Sequence, residues 1–118
     1  KRKRGRKMGT FIQVVTTTDS REAAERIARS LVNQHLAACV QIDGPITSIY
    51  HWQGQVEEAK EWRLTAKSRA ALFEEIVAAI REMHSYDVPE IVATQIDFLD
   101  EAYRQWLEEK TVSVGRDS

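Results

Sequence analysis

Residues 46–67, ITSIYHWQGQVEEAKEWRLTAK, form two long strand-like runs folded back on each other at Gln53-Gly54. The first run, residues 46–52, carries branched or aromatic side chains on both alternate sets: Ile46, Ser48, Tyr50 and Trp52 on one, Thr47, Ile49 and His51 on the other. A strand with one face in water does not have that pattern. The second run does alternate, with Trp62, Leu64 and Ala66 facing one way and Glu61, Arg63, Thr65 and Lys67 the other, as one buried and one wetter face require. Strands of this length outrun a single small core. The projecting part needs a cover, and a second copy of the same chain supplies one, so the hairpin predicts an oligomer.

The segments on either side define what the hairpin belongs to. TFIQVVTTT, residues 10–18, reads as a first strand with Ile12, Val14 and Thr16 on one face and Phe11, Gln13 and Val15 on the other. Asp19, three residues before Glu22, has the spacing of a helix cap, and Ala23, Ala24, Ile27, Ala28, Leu31 and Val32 then recur at helical period, predicting an amphipathic helix over residues 20–35. LAACVQI, residues 36–42, returns the chain to the sheet. Asp43-Gly44-Pro45 then interrupts what is read as one second strand. After the hairpin, Ser68 precedes a second helix with an apolar stripe of Ala71, Leu72, Ile76, Val77, Ile80 and Met83, stopped before Pro89. Residues 90–98 read as a fourth strand, and residues 100–110 as a short helix with Tyr103, Trp106 and Leu107 on one face.

The order βαββαβ with an appended helix predicts an α+β, ferredoxin-like split βαβ domain over residues 10–112, with both long helices on one face of an antiparallel sheet. The other face is left bare, and Phe11, Val15 and Ile49 are expected on it, more apolar than a monomer tolerates in water.

Charge is uneven along the 118 residues. The net value of −1 hides a first stretch, KRKRGRK, that holds six of the 17 Lys and Arg, so the rest sets 11 against 18 acids. Residues 1–9 read as a solvated basic tail, residues 113–118 as a polar one, and the acidic domain between them as a poor partner for nucleic acid. A single cysteine, Cys39, precludes an internal disulfide. With no export segment and no long apolar run, the expectation is a soluble cytoplasmic protein without a membrane partner.

Catalytic templates are missing: there is no glycine-rich phosphate loop, no GxSxG, no HExxH and no CxxC. What remains is scattered. Cys39 and His84 together would suit copper or zinc, with Glu61 or His51 as further oxygen or nitrogen donors, although two ligands do not close a structural site. Alone, Cys39 between small apolar residues is where an inert buried thiol sits, and His84 at a helix C-terminus is favoured by the dipole without any function.

Several motifs in order carry a resemblance: LAACV at residues 36–40, SIYHWQG at 48–54, Glu61 with Leu64 and Lys67, Tyr86 with Pro89-Glu90-Ile91, and Tyr103 with Trp106-Leu107. Over residues 11–107 the chain resembles the CutA divalent-cation tolerance proteins. The resemblance implies a homotrimer whose hairpins reach across to neighbouring sheets, with subunit contacts through Tyr50, Trp52, Tyr103 and Trp106. It also implies a non-enzymatic role in tolerance of copper or another divalent metal, weakly bound at clefts between subunits, with no organic cofactor. Cys39, His84 and Glu61 match positions linked with metal, and Trp52, Lys67 and Tyr86 match positions around the cleft. The architecture is also similar to trimeric nitrogen-signalling proteins, which implies a signalling or scaffold role as the alternative. There are two departures from the pattern. Cysteines that some members carry are missing, since Thr16 occupies one such position and the second helix lacks the other; and the usual His-Pro-Tyr reads His84-Ser85-Tyr86.

Overall fold

A computed structural model describes residues 10–112. The expected tails, residues 1–9 and 113–118, lie outside the described residues. Within them the chain runs β1 (Phe11–Thr18), α1 (Arg21–Asn33), β2 (Cys39–Trp52), β3 (Gln55–Arg69), a 3-10 turn (Ala70–Leu72), α2 (Phe73–Met83), β4 (Val92–Ile96) and α3 (Glu101–Lys110). The four strands form one antiparallel sheet in the order β2-β3-β1-β4, the ferredoxin-like arrangement the element order predicts.

The core lies between the sheet and the two long helices. Val14, Leu64 and Ala66 on the strands meet Ala24, Ile27 and Leu31 of α1 and Ile76 and Ile80 of α2, all essentially inaccessible to water. The cap of α1 is Ser20 rather than Asp19: its hydroxyl accepts from the Ala23 N–H at 3.1 Å, which leaves Asp19 exposed. Ser68 does not begin a helix. It stays in β3, fully buried, and its hydroxyl donates to the Leu36 carbonyl at 2.5 Å, tying the end of β3 to the turn after α1.

β2 and β3 are joined by a two-residue turn in which Gln53 and Gly54 take φ of 51° and 78°. Two successive positive φ values give the turn whose twist matches the strands, which is why the hairpin closes at Gln-Gly. β2 is continuous, as expected, but it slips register once: Asp43 faces Arg63 and Ile46 faces Glu61, so Gly44-Pro45, joined by a cis peptide, adds one extra residue. Gly44 is required there because a Cβ would lie 2.7 Å from Trp62 Cδ1.

The slip has a consequence for every side chain beyond it. Ile46, Ser48, Tyr50 and Trp52 pair with Glu61, Ala59, Glu57 and Gln55, and so share the open face with Glu61 and Arg63. Ile49 pairs with Glu58, which puts it on the helix side, not on the bare face with Phe11 and Val15 as its parity suggests. Phe11 points to the open face as expected, but its own chain covers it, leaving 6 % exposure. Its neighbour across the pair is Arg69, which donates to Thr111 Oγ1 at 2.7 Å and to the Glu108 carbonyl at 2.6 Å. α3, anchored by fully buried Leu107, therefore covers that end of the open face.

Beyond the helices the hairpin stands free. Ile49, Tyr50, Trp52 and Val56 are 43–68 % exposed, and the molecule measures 48 × 30 × 29 Å.

Candidate functional site

The open face and the loop after α2 meet at Glu61. Glu61 is 8 % exposed, and each carboxylate oxygen accepts from a neutral hydroxyl: Oε1 from Ser48 at 2.6 Å, Oε2 from Tyr86 at 2.8 Å. Ser48 reaches it only because the bulge has turned residues 46–52 by one position. Burial, and then the bond to Glu61, push the Tyr86 hydroxyl above its ordinary value near 10, so it stays a neutral donor.

His84 sets the position of Tyr86. Its Nδ1 accepts from the Tyr86 N–H at 3.1 Å, which fixes the proton on Nε2, and Nε2 donates to the Thr17 carbonyl at 2.7 Å. The two rings lie 4.7 Å apart. Both imidazole nitrogens are thus engaged, and the loop is tied to the end of β1. His84 caps the C-terminus of α2, extended at φ −84°, ψ 143°.

Between hairpin and loop lies a groove of about 850 Å³ lined by Glu61, Ser48, Tyr50, Trp52 and Tyr86 together with residues 87–90. Trp52 and Tyr86 thus share the groove; Lys67 lies elsewhere. It is six residues along β3 from Glu61, roughly 20 Å at 3.3 Å per residue, and its ammonium donates to Gln41 Oε1 at 3.1 Å. Cys39 faces Lys67, whereas His84 bonds to Thr17, which faces Arg63. Four residues of β3 separate those two levels, roughly 13 Å. Within one chain Cys39, His84 and Glu61 do not converge, and among the described residues no three His, Cys, Asp or Glu side chains do. Glu61 and Arg63 do not pair; the Arg63 partner is Asp43, in an exposed two-bond contact. Cys39 is partly exposed, and burial, and then the neighbouring Cys39, push the Tyr103 hydroxyl of α3 above its ordinary value. Thr16 is buried on the helix side, opposite Leu64, away from the face that carries Cys39 and Glu61.

Ser48 and Glu90 stand in the motifs that carry the resemblance, and Asp87 lies in the same loop, but a reading of the sequence assigns none of the three a role of its own in this region. For Ser48 the signal was present in Gly44-Pro45, since an inserted residue reverses the parity of every later position in the strand.

A family model described as the CutA1 divalent ion tolerance protein matches residues 12–110 of this chain. The chain belongs to the CutA1 divalent ion tolerance family. Among CutA relatives, the divalent-cation tolerance protein of Thermus thermophilus is 43 % identical over 98 residues, covering 83 % of this chain and 95 % of that protein. The chloroplastic CutA of Arabidopsis thaliana is 39 % identical over 100 residues, 85 % of this chain, but the chain spans only 55 % of that longer protein. Solved CutA structures share the fold: that from Thermus thermophilus has a TM-score of 0.85 at 41 % identity, covering 86 % of this chain and 99 % of its own. The rice CutA1 structure has a TM-score of 0.86 at 36 % identity, covering 87 % and 94 %. CutA proteins occur in more than one compartment, since the Arabidopsis relative is named chloroplastic and the Archaeoglobus fulgidus structure periplasmic. Among the described residues of this CutA chain, no helix is long and apolar enough to cross a membrane.

Proposed function

We propose that this CutA chain acts in divalent-cation tolerance as a non-enzymatic homotrimer that binds copper or another divalent ion weakly at clefts between subunits. The observation that carries the reading is the free-standing hairpin. Ile49 and Val56 on one face of it and Tyr50 and Trp52 on the other leave both faces of the hairpin apolar and exposed, and among the described residues the outer edge of β2 has no partner strand. Tyr103 and Trp106 of α3, 5.4 Å apart, offer a second aromatic contact for a neighbour.

Assembly also bears on the metal. Cys39 and His84 stand roughly 13 Å apart along the sheet of one chain, so an ion held by both draws its donors from two subunits. His84 would have to release the Tyr86 N–H to offer Nδ1, which makes weak binding the natural outcome. The names of the relatives, divalent-cation tolerance proteins, point the same way. A lone thiol fits a reducing compartment such as the cytoplasm. Copper titration of the wild type against Cys39→Ala with His84→Ala tests the donors. Affinity should fall at least about tenfold on losing two direct ligands; equal affinity removes both residues from the site.

The size of the groove favours a second reading, a trimer that carries or signals a small molecule. Within one chain Tyr86 and Glu61 are at hand for it, and Lys67 would have to come from a neighbour.

A further inference from the structure

Glu61 is more than nine-tenths buried, and among the described residues it enters no ion pair. The Ser48 and Tyr86 hydroxyls give each of its oxygens one hydrogen bond and leave the charge uncompensated. Asp87 and Glu90 line the same groove; His51 lines it too, but from the opposite face of β2, and holds no carboxylate among the described residues. A carboxylate withdrawn from water in this way is short of a cation.

The open face carries a cation with the converse shortage. Arg63, Lys67 and Arg69 are the basic residues that the strands place there. Arg63 is held by Asp43, and Arg69 by the Thr111 hydroxyl and the carbonyls that end α3. Lys67 is left, because its ammonium donates only to the neutral Gln41 side chain. Its own Glu61 lies roughly 20 Å away along β3 at 3.3 Å per residue, beyond the reach of a lysine side chain. A second copy of the chain is not so constrained. The hairpin that bounds the groove is the part that neighbouring copies cover, so a neighbour lies at its mouth. An anion and a cation at different levels of one face are two unlike patches, which is what a head-to-tail contact joins, and such contacts close into a ring when every copy both gives and receives.

We infer that Glu61 of each copy is completed by Lys67 of the next, whose ammonium enters the groove and pairs with the carboxylate. The inference rests on the trimer reading and is independent of the metal reading, which engages Cys39 and His84.

A double-mutant cycle on dissociation of the full chain tests it, with Glu61→Gln, Lys67→Met and the two combined. Sedimentation reads the dissociation constant, in guanidinium where dilution alone does not separate the chains. Each single variant should raise that constant at least about tenfold, since it strands one partner of a desolvated pair. The combined variant should be no weaker than the weaker single one. Unchanged constants, or losses that multiply, overturn the inference. Should Glu61→Gln fail to fold, carbodiimide coupling of the wild type, which joins an amine to a carboxylate in contact with it, replaces the cycle. The expected product is a cross-linked pair of chains whose peptide map joins Lys67 to Glu61; Lys67 left uncoupled or joined to another carboxylate overturns the inference. A trimer without the Lys67–Glu61 coupling refutes this pairing alone, whereas a wild-type monomer refutes the trimer reading with it.

Discussion

Removing one oxygen atom from Tyr86 isolates the contact on which the site is built. In Tyr86→Phe the ring stays beside His84 and the loop keeps its two imidazole bonds, but Glu61 Oε2 loses its donor at 2.8 Å. A hydrogen bond to a charged acceptor contributes about 1.5–3 kcal/mol when the acceptor is left unsatisfied. Tyr86 is half-buried, so water reaches the gap in part, and the expected loss lies at the lower end, about 1.5 kcal/mol. For a domain of this size that lowers the midpoint by roughly 6–12 °C. Guanidinium unfolding of both proteins at one protomer concentration measures it, because the proposed trimer would make apparent stability depend on concentration. A second arm uses the raised Tyr86 value. A folded-state value above the unfolded one means that the contribution is complete below about pH 10 and is lost as pH rises through the folded value. The stability gap between wild type and Tyr86→Phe should therefore be constant near neutrality and close on the alkaline side. A gap under about 0.5 kcal/mol at pH 7, or one that widens with alkali, refutes the reasoning.

Other perturbations address the scaffold. Trp52→Ala should cost about 3 kcal/mol or more of assembled stability and shift the chain toward smaller species on sedimentation; an unaltered profile would mean that the hairpin tip is no subunit contact. Gly44→Ala puts a Cβ 2.7 Å from Trp62 Cδ1 and 3.0 Å from the Glu61 carbonyl, so chemical unfolding should show a loss of about 1–3 kcal/mol; a neutral result would deny that the bulge is tightly packed. Arg69→Ala removes the donors that hold the end of α3, and amide exchange should accelerate in residues 101–110 while the β1 and β3 amides stay protected. Unchanged exchange there would show that Leu107 alone docks the helix.

Element type and order were legible because hydrophobic period survives without any knowledge of partners. α1 and α2 announce their buried stripes, β1 and β3 their alternation, and Gln53-Gly54 the turn. The strand faces were legible only up to Gly44. One inserted residue moved Ile49 to the helix side and brought Ser48, Tyr50 and Trp52 to the face of Glu61, and period counting across a bulge cannot register that. For Phe11 the face was legible and the cover was not: α3 comes from the far end of the chain, and only a three-dimensional contact through Arg69 and Leu107 links them. Of the candidate site residues, Glu61 and Tyr86 meet as partners and Trp52 lines the same groove, whereas Cys39 and Lys67 pair with each other at another level of the sheet. Sequence neighbours of matching parity share a face, but how far apart they sit along that face is set by register.

The central claim is that the projecting hairpin is completed by copies of the same chain. The solution mass by light scattering at micromolar concentration tests it most directly. Three chains of 13.5 kDa give a particle of about 40 kDa, which is the predicted result. A monodisperse 13.5 kDa species with the hairpin folded would contradict the account, since it would show that Ile49, Tyr50, Trp52 and Val56 remain in water without a partner.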